Sequence, residues 1–163
     1  MKRRFLSSIC SLLMLGMMLP ATLTDVEASE KGTKKVDGSY LTLEDSSSGK
    51  STDKLRGKYL MTGDCTISKA GRGKVYAYAS TTANQEVNYM ATLVYVEKYM
   101  EDVDEWGQVD WWVVEAEDEY FLSTAKTIYV DGGYYYRVRA NHIAGDEYPY
   151  EETASFTDGI FIK

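Results

Sequence analysis

Apolar and polar residues alternate along the chain from about residue 58 to its end. Alternation with a period of two is typical of strands that bury one face. Seven runs rich in Tyr, Val, Thr and Ile are separated by turn signals such as "KAGRGK", "ANQE" and "DGG". No stretch places apolar residues at helical spacing between capping residues. The pattern predicts an all-β fold, a single antiparallel β-sandwich of about seven strands over residues 58–163.

The run "YYYRVRANHI" shows how the two faces of one strand are expected to differ. Side chains of a strand point alternately to opposite faces of the sheet. The face expected in the core carries Tyr134, Tyr136, Val138 and Ala140. The face expected toward solvent carries Tyr135, Arg137, Arg139 and Asn141. The three consecutive tyrosines are therefore not predicted to form one aromatic platform.

The run "WGQVDWWVV" contains the three tryptophans of the chain. Its more apolar set, expected in the core, is Val109, Trp111 and Val113. The other set mixes flat aromatic rings with hydrogen-bonding groups, as a sugar-binding surface would, and consists of Trp106, Gln108, Asp110 and Trp112. The alternative is that Trp106 and Trp112 pack against neighbouring strands, with an arginine stacked on them.

The stretch "IYVDGGYYYRVRANHIAG" resembles strands E to F of a fibronectin type III or related immunoglobulin-like domain, and "ASFT" resembles the strand G that follows. The resemblance implies an immunoglobulin-like sandwich and no particular activity. It also implies a tyrosine corner, in which a tyrosine hydroxyl bonds back to the upstream backbone. Tyr134, which follows Ile128 by six residues, is the first choice for that role. Tyr136, which follows Val130 by six, is the second.

The chain as a whole resembles an uncharacterised family of small exported proteins from clostridia-like, Gram-positive gut bacteria. The resemblance runs from "YLTLEDSSSGKSTDKLRGKYLMTGDCTISKAGRGKVYAYASTTAN" through "GYYYRVRANH" to "SFTDGIFI". It implies export and a Gram-positive source. It brings no assigned activity and no catalytic residues.

The N-terminal residues 1–28 have the layout of a secretory signal peptide. A basic "MKRR" precedes the apolar "FLSSICSLLMLGMMLP", and a small-residue cleavage site ends at Ala28. A transmembrane anchor is the alternative, but the apolar stretch is shorter than the roughly 20 residues that span a bilayer. Residues 29–57 have the composition of a flexible linker, in which "SYLTLE" could add a short edge strand. We therefore expect a secreted, extracellular domain with no stable membrane insertion after cleavage.

The charge and the cysteine content of the mature chain exclude some classes of partner and of covalent cross-link. The leader carries three basic and two acidic residues, so 15 basic and 23 acidic residues remain, with a net charge of −8. Nucleic acid is a poor partner for such a chain, because phosphate binding needs clustered Lys and Arg. Cys65 is the single cysteine after cleavage, so no intramolecular disulfide can form. We expect a buried thiol and a monomer; pairing between two chains is the alternative.

Candidate chemistry is sparse. His142 is the only histidine, so a Ser–His or Cys–His catalytic site would have to use it. We interpret His142 as a structural histidine. A catalytic Cys65–His142 pair is the alternative. No cofactor is expected beyond a structural calcium ion, for which Asp102, Asp104 and Glu117 are the candidate ligands. The sequence predicts a non-enzymatic extracellular binding or adhesion module with a protein or glycan partner. A carbohydrate-binding module is the alternative, and a secreted hydrolase comes third.

Overall fold

The computed structural model describes residues 34–51 and 57–163, with the side chain of Met61 excepted. The described residues contain strands and no helix, and hence no helix that could cross a membrane. The strands are β1 (Lys35–Val36), β2 (Ser39–Thr42), β3 (Ser46–Lys50), β4 (Leu60–Lys69), β5 (Lys74–Val87), β6 (Tyr89–Met100), β7 (Glu105–Ala116), β8 (Glu119–Tyr129), β9 (Tyr134–Gly145), β10 (Glu151–Phe156) and β11 (Gly159–Ile162).

The strands form two sheets that pack face to face. The larger sheet has the order β1-β2-β11-β9-β6-β7, and β10 pairs with β9 beyond the end of β11. The smaller sheet has the order β3-β4-β5-β8. Neighbouring strands are antiparallel except β2 and β11, which run parallel. The predicted all-β sandwich is confirmed; the seven predicted runs correspond to β4 through β11, the last run containing two strands.

The core between the sheets is built from the inward faces of β4, β5, β6, β9 and β11. Its fully buried side chains include Cys65, Ile67, Val75, Val94, Val96, Tyr136, Val138, Ile160 and Ile162. Burial of alternating residues on β9 confirms the predicted core face for Tyr136, Val138 and Ala140. The opposite face was predicted toward solvent, but Arg137 on that face is buried. A guanidinium in such a place must be paired, and Arg137 pairs with Glu97 and Asp37.

The tyrosine corner is Tyr136 rather than Tyr134. The Tyr136 hydroxyl donates a hydrogen bond to the backbone oxygen of Asp131 at 2.9 Å, five residues upstream. Tyr136 is 1% exposed, whereas Tyr134, the first choice, is 44% exposed at the start of β9. Val130, six residues before Tyr136, packs against the core. The first choice was therefore wrong and the second is confirmed, although β9 itself begins at Tyr134 as the pattern predicts.

The predicted linker over residues 29–57 contains three strands, so the flexible-linker prediction is wrong for the part that the structure describes. The short strand that "SYLTLE" could add is present as β2, although β2 lies between β1 and β11 rather than at the edge. The buried side chains of the described part are Val36, Ser39 and Thr42, spaced three residues apart. The Ser39 hydroxyl donates to the Thr157 oxygen at 2.7 Å. A polar sequence can join a sheet here because β11 and β4 supply backbone partners. Residues 1–33 and 52–56, including the predicted signal peptide, lie outside the described residues.

The two adjacent tryptophans of β7 have faces opposite to those predicted. Trp112 lies opposite Val94 and packs against the core, whereas Trp111 lies opposite Tyr95 and is 54% exposed. Val109 and Val113, also predicted in the core, are exposed as well.

The cause of this reversal is a β-bulge in β7. Val96 pairs with Asp110 and the next residue, Glu97, pairs with Gln108, so Val109 is an extra residue on β7. An extra residue reverses the alternation beyond it. The strict period of two used for the sequence therefore grouped residues that lie on different faces.

Candidate ligand-binding face

The outer face of the larger sheet carries one row of large side chains across four strands. Trp111 of β7 pairs with Tyr95 of β6, which pairs with Arg139 of β9, which pairs with Phe156 of β10. Residues directly opposite one another on neighbouring strands have side chains in contact distance on the same face. We call Trp111, Tyr95, Arg139 and Phe156 the aromatic row.

The aromatic row is open to solvent at both ends and ordered at its centre. Trp111 is 54% and Phe156 39% exposed. The guanidinium carbon of Arg139 lies 3.9 Å from the centroid of the Tyr95 ring, a stacked cation–π contact. The parallel row next to it consists of Val113, Leu93, Asn141 and Ala154. The two rows together form a surface of apolar and aromatic groups with an arginine at the centre.

Glu97 fixes the position of Arg139. The Glu97 carboxylate accepts hydrogen bonds from Arg139 Nε at 3.0 Å and from Arg137 Nε at 2.7 Å. The Glu97 side chain is only 8% exposed, so these bonds act in a poorly solvated environment, where a charge must be paired. Arg139 Nη1 also donates to Asn141 Oδ1 at 3.3 Å. Arg139 is thus held flat against Tyr95 before any ligand arrives.

The N-terminal hairpin, residues 34–42, covers the part of the outer face below the aromatic row. Trp106 Nε1 donates to the Val36 oxygen at 3.0 Å, and the Arg137 guanidinium lies 4.6 Å from the Trp106 ring centroid. Arg137 also forms an ion pair with Asp37 at 2.7 Å and donates to Ser39 Oγ at 3.0 Å. The hairpin therefore buries Arg137 and half-buries Trp106.

Gly159 permits this close packing. A Cβ atom at Gly159 would lie 2.6 Å from Cη2 of Trp106, well inside van der Waals contact. The indole thus rests directly on the backbone of β11, between that strand and the hairpin. The edge of the hairpin consequently marks one boundary of the open surface.

The four residues predicted as a sugar-binding surface are not brought together. Trp106 lies beneath the N-terminal hairpin and Gln108 is exposed on the same outer face. Asp110 and Trp112 turn toward the smaller sheet, where Asp110 forms an ion pair with Lys126 at 2.6 Å. Trp112 Nε1 donates to Thr124 Oγ1 at 2.9 Å. That surface is a wrong prediction, and the alternative of tryptophans packed against neighbouring strands holds for both Trp106 and Trp112.

The predicted calcium ligands are also far apart. Asp102 and Asp104 lie in the β6–β7 turn, and Glu117 lies in the β7–β8 turn at the other end of a 12-residue strand. At about 3.3 Å per residue that strand is roughly 40 Å long, so the three carboxylates cannot share an ion. Among residues 34–51 and 57–163, no group of three His, Cys, Asp or Glu side chains could hold a metal.

Asp104 has other partners. Its carboxylate accepts from the Tyr99 hydroxyl at 2.7 Å and pairs with Lys34 at 3.0 Å. These contacts, first with Tyr99 and then with Lys34, lower the pKa of Asp104. Asp104 therefore anchors the start of the N-terminal hairpin to the β6–β7 turn.

His142 and Cys65 are both fully buried between the sheets. His142 contacts Thr81 Oγ1 at 3.0 Å and Ser155 Oγ at 2.8 Å, and burial lowers its pKa to about 4. Burial raises the pKa of the Cys65 thiol to about 11, so the reactive thiolate is scarce at neutral pH. The predicted buried thiol is confirmed. A Cys65–His142 site would have no access to a substrate.

The aromatic row was missed because its members come from four runs of the sequence. Tyr95 and Phe156 carry no signal of their own in the sequence, Arg139 is predicted only as a solvent-side residue, and Trp111 is predicted in the core. The available signal was the alternation on β9, which placed Arg139 on an outer face correctly. Arg139 lies beside Tyr95 and Phe156 because of the registers of three strands. These registers cannot be predicted from the alternation within any one strand.

Comparison with known protein families, curated proteins and solved structures finds no match to this chain. Function is therefore inferred from the geometry of its surfaces.

Proposed function

We propose that the protein is a non-enzymatic extracellular binding module that docks a protein partner on the aromatic row. The observation that carries this proposal is the direct cross-strand alignment of Trp111, Tyr95, Arg139 and Phe156 on an open sheet face. Trp, Tyr and Arg are the residue types that dominate binding energy at protein interfaces. Here three of them are adjacent, and one is already held by a buried carboxylate.

The neighbouring row favours a protein over a glycan. Val113 is 42% exposed and Leu93 is half-buried beside Trp111. Branched apolar side chains offer no hydrogen bonds to sugar hydroxyls, but they pack well against apolar side chains of a partner. A prearranged Arg139 also reduces the entropy lost on docking.

Two further observations support the proposal. The side chains that nucleophilic catalysis would use, His142 and Cys65, are fully buried.

Export is supported by the signal-peptide layout of residues 1–28. Mass spectrometry of culture supernatant should find a chain that starts at Ser29; recovery in membranes with residues 1–28 attached would contradict export.

The docking proposal is tested by screening the mature chain on a panel of immobilised extracellular proteins and on a glycan array. Each hit is titrated with wild type and with Trp111→Ala, which should weaken binding about ten- to thirty-fold. Tyr76→Ala is the matched control, because Tyr76 is a 37%-exposed aromatic on the outer face of the smaller sheet. The control should bind like wild type.

The outcomes separate the alternatives. A protein ligand that needs Trp111 and not Tyr76 supports the proposal. A glycan ligand whose binding needs Trp111 and not Tyr76 would support the aromatic row as the binding site but would contradict a protein partner. Binding that depends on Tyr76, or on neither residue, would exclude the aromatic row.

A further inference from the structure

A cleft of about 270 Å³ opens at one end of the sandwich, between the two sheets. Its wall includes Lys98 of β6, Val109 of β7 and Tyr136 of β9, together with Ile128, Val130 and Asp131 at the end of β8. Sites for small molecules are typically concave and mostly apolar, with a few polar groups that orient the ligand. The volume suits a molecule the size of an amino acid or a dipeptide.

The apolar part of the cleft continues the protein core. Ile128 and Tyr136 belong to the core cluster, and Val130 packs against it. Val109 is the extra residue of the β7 bulge and is 46% exposed. Bulges redirect side chains in this way next to functional sites. The bulge thus adds one apolar wall to the opening.

Two charged residues of opposite sign, Lys98 and Asp131, line the cleft. Among the ion pairs of the described residues, neither Lys98 nor Asp131 takes part. The Lys98 ammonium lies 4.5 Å from the Tyr134 ring centroid, so its position is fixed by a cation–π contact.

Asp131 is placed by the tyrosine corner, since its backbone oxygen accepts the Tyr136 hydroxyl. Burial, followed by the negative charge of Asp131, raises the pKa of Tyr136 to about 12. Asp131 and Tyr136 both line the cleft.

We propose that this cleft binds a small zwitterion, a free amino acid or short peptide with an apolar side chain. The ligand ammonium pairs with Asp131, its carboxylate pairs with Lys98, and its side chain contacts Val109, Ile128 and Val130. A ligand with a single charge would leave one protein charge without a counterion at the cleft. This site is separate from the aromatic row, and the two proposals can fail independently.

The test is calorimetric titration of the mature chain with L-leucine, N-acetyl-L-leucine and L-leucinamide. N-acetylation removes the positive charge and amidation removes the negative one. L-leucine should bind at least about tenfold more tightly than either derivative. Lys98→Met and Asp131→Asn should each weaken L-leucine binding by a similar factor, with melting temperatures near that of wild type.

Lys35→Met is the matched control, because the Lys35 ammonium also lies over a tyrosine ring, Tyr40, at 5.1 Å but does not line the cleft. It should bind L-leucine like wild type. Equal binding of the three probes, or unchanged binding in both cleft variants, would overturn the proposal. So would the absence of binding for L-leucine, the other natural amino acids and the Leu–Leu dipeptide up to about 10 mM.

Discussion

At the scale of single residues, the two adjacent tryptophans of β7 have opposite roles. Trp112 packs on the core and bonds to Thr124, so Trp112→Ala should cost about 3 kcal/mol of unfolding free energy through lost burial and a cavity. Trp111 is exposed, so Trp111→Ala should cost less than about 1 kcal/mol. Urea unfolding of both variants measures the difference. A larger loss for Trp111 would contradict the observed faces.

His142 gives the protein a defined pH dependence. Burial lowers its pKa from 6.5 to about 4 in the folded state, so the unfolded state binds more protons between these values. Stability should therefore fall as pH drops from 6.5 to 4, by about 3 kcal/mol for this group alone. Above pH 6.5 its contribution is complete.

The measurement is the free energy of unfolding in urea at several pH values between 7.5 and 4.5, for wild type and His142→Gln. The glutamine keeps a hydrogen-bonding group between Thr81 and Ser155 but does not titrate. The variant should lose most of the slope between pH 6.5 and 4.5. An equal slope in both proteins would show that carboxylates, not His142, set the acid sensitivity.

At the scale of elements, alternation predicts the existence of β4 to β11 but not the faces of β7. A local pattern identifies a strand by its period, and on β9 this also identified the core face correctly. On β7 the bulge at Val109 changes the period, so Asp110 turns toward the smaller sheet, where it pairs with Lys126 of β8. Neither the bulge nor this cross-sheet pair can be read from β7 alone.

The bulge can be tested by deletion. Without Val109, the strand segments carrying Trp106 and Trp112 cannot both keep their present faces, because a one-residue slip turns every side chain over. Deletion of Val109 should lower the melting temperature by more than 10 °C, an effect on the order of 2–3 kcal/mol. Deletion of Val103, an exposed residue in the β6–β7 turn, is the control and should have a much smaller effect. Equal effects would contradict a structural role for the bulge.

Only one strand of the N-terminal hairpin, β2 at "SYLTLE", can be anticipated from the sequence. The composition of the hairpin is polar, and composition alone predicts a flexible segment. The hairpin is stabilised by residues far along the chain. Arg137 contacts Asp37 and Ser39, and Trp106 donates to the Val36 oxygen. The contact between Arg137 and Asp37 joins residues 100 positions apart, so it cannot be predicted from the sequence around either residue.

Removing residues 29–44 should therefore cost more than about 3 kcal/mol, because it takes away the Asp37 carboxylate that pairs with the buried Arg137. Circular dichroism during urea unfolding measures this loss. Lys35→Ala, at an exposed position in the same hairpin, should change stability by less than about 0.5 kcal/mol. A truncated chain as stable as wild type would restore the interpretation of this segment as a linker.

At the scale of the whole molecule, the sandwich class was predictable and the binding surface was not. Periodicity, turn residues and the absence of helical spacing together fix the layer architecture. The aromatic row depends on the registers of β7, β6, β9 and β10, and the cleft depends on where the two sheets end. Both are properties of strands assembled from distant parts of the chain, and no single run such as "YYYRVRANHI" contains them.

The parallel pairing of β2 with β11 also sets the order of events during synthesis. The Ser39 hydroxyl and the Thr157 oxygen that it contacts are 118 residues apart in the chain. A ribosome that adds about 5–20 residues per second delivers the second group roughly ten seconds after the first. Until then the larger sheet lacks β11, and the hairpin has no strand to join. The N-terminal hairpin, which is synthesised before the other strands, therefore takes its place in the larger sheet among the last.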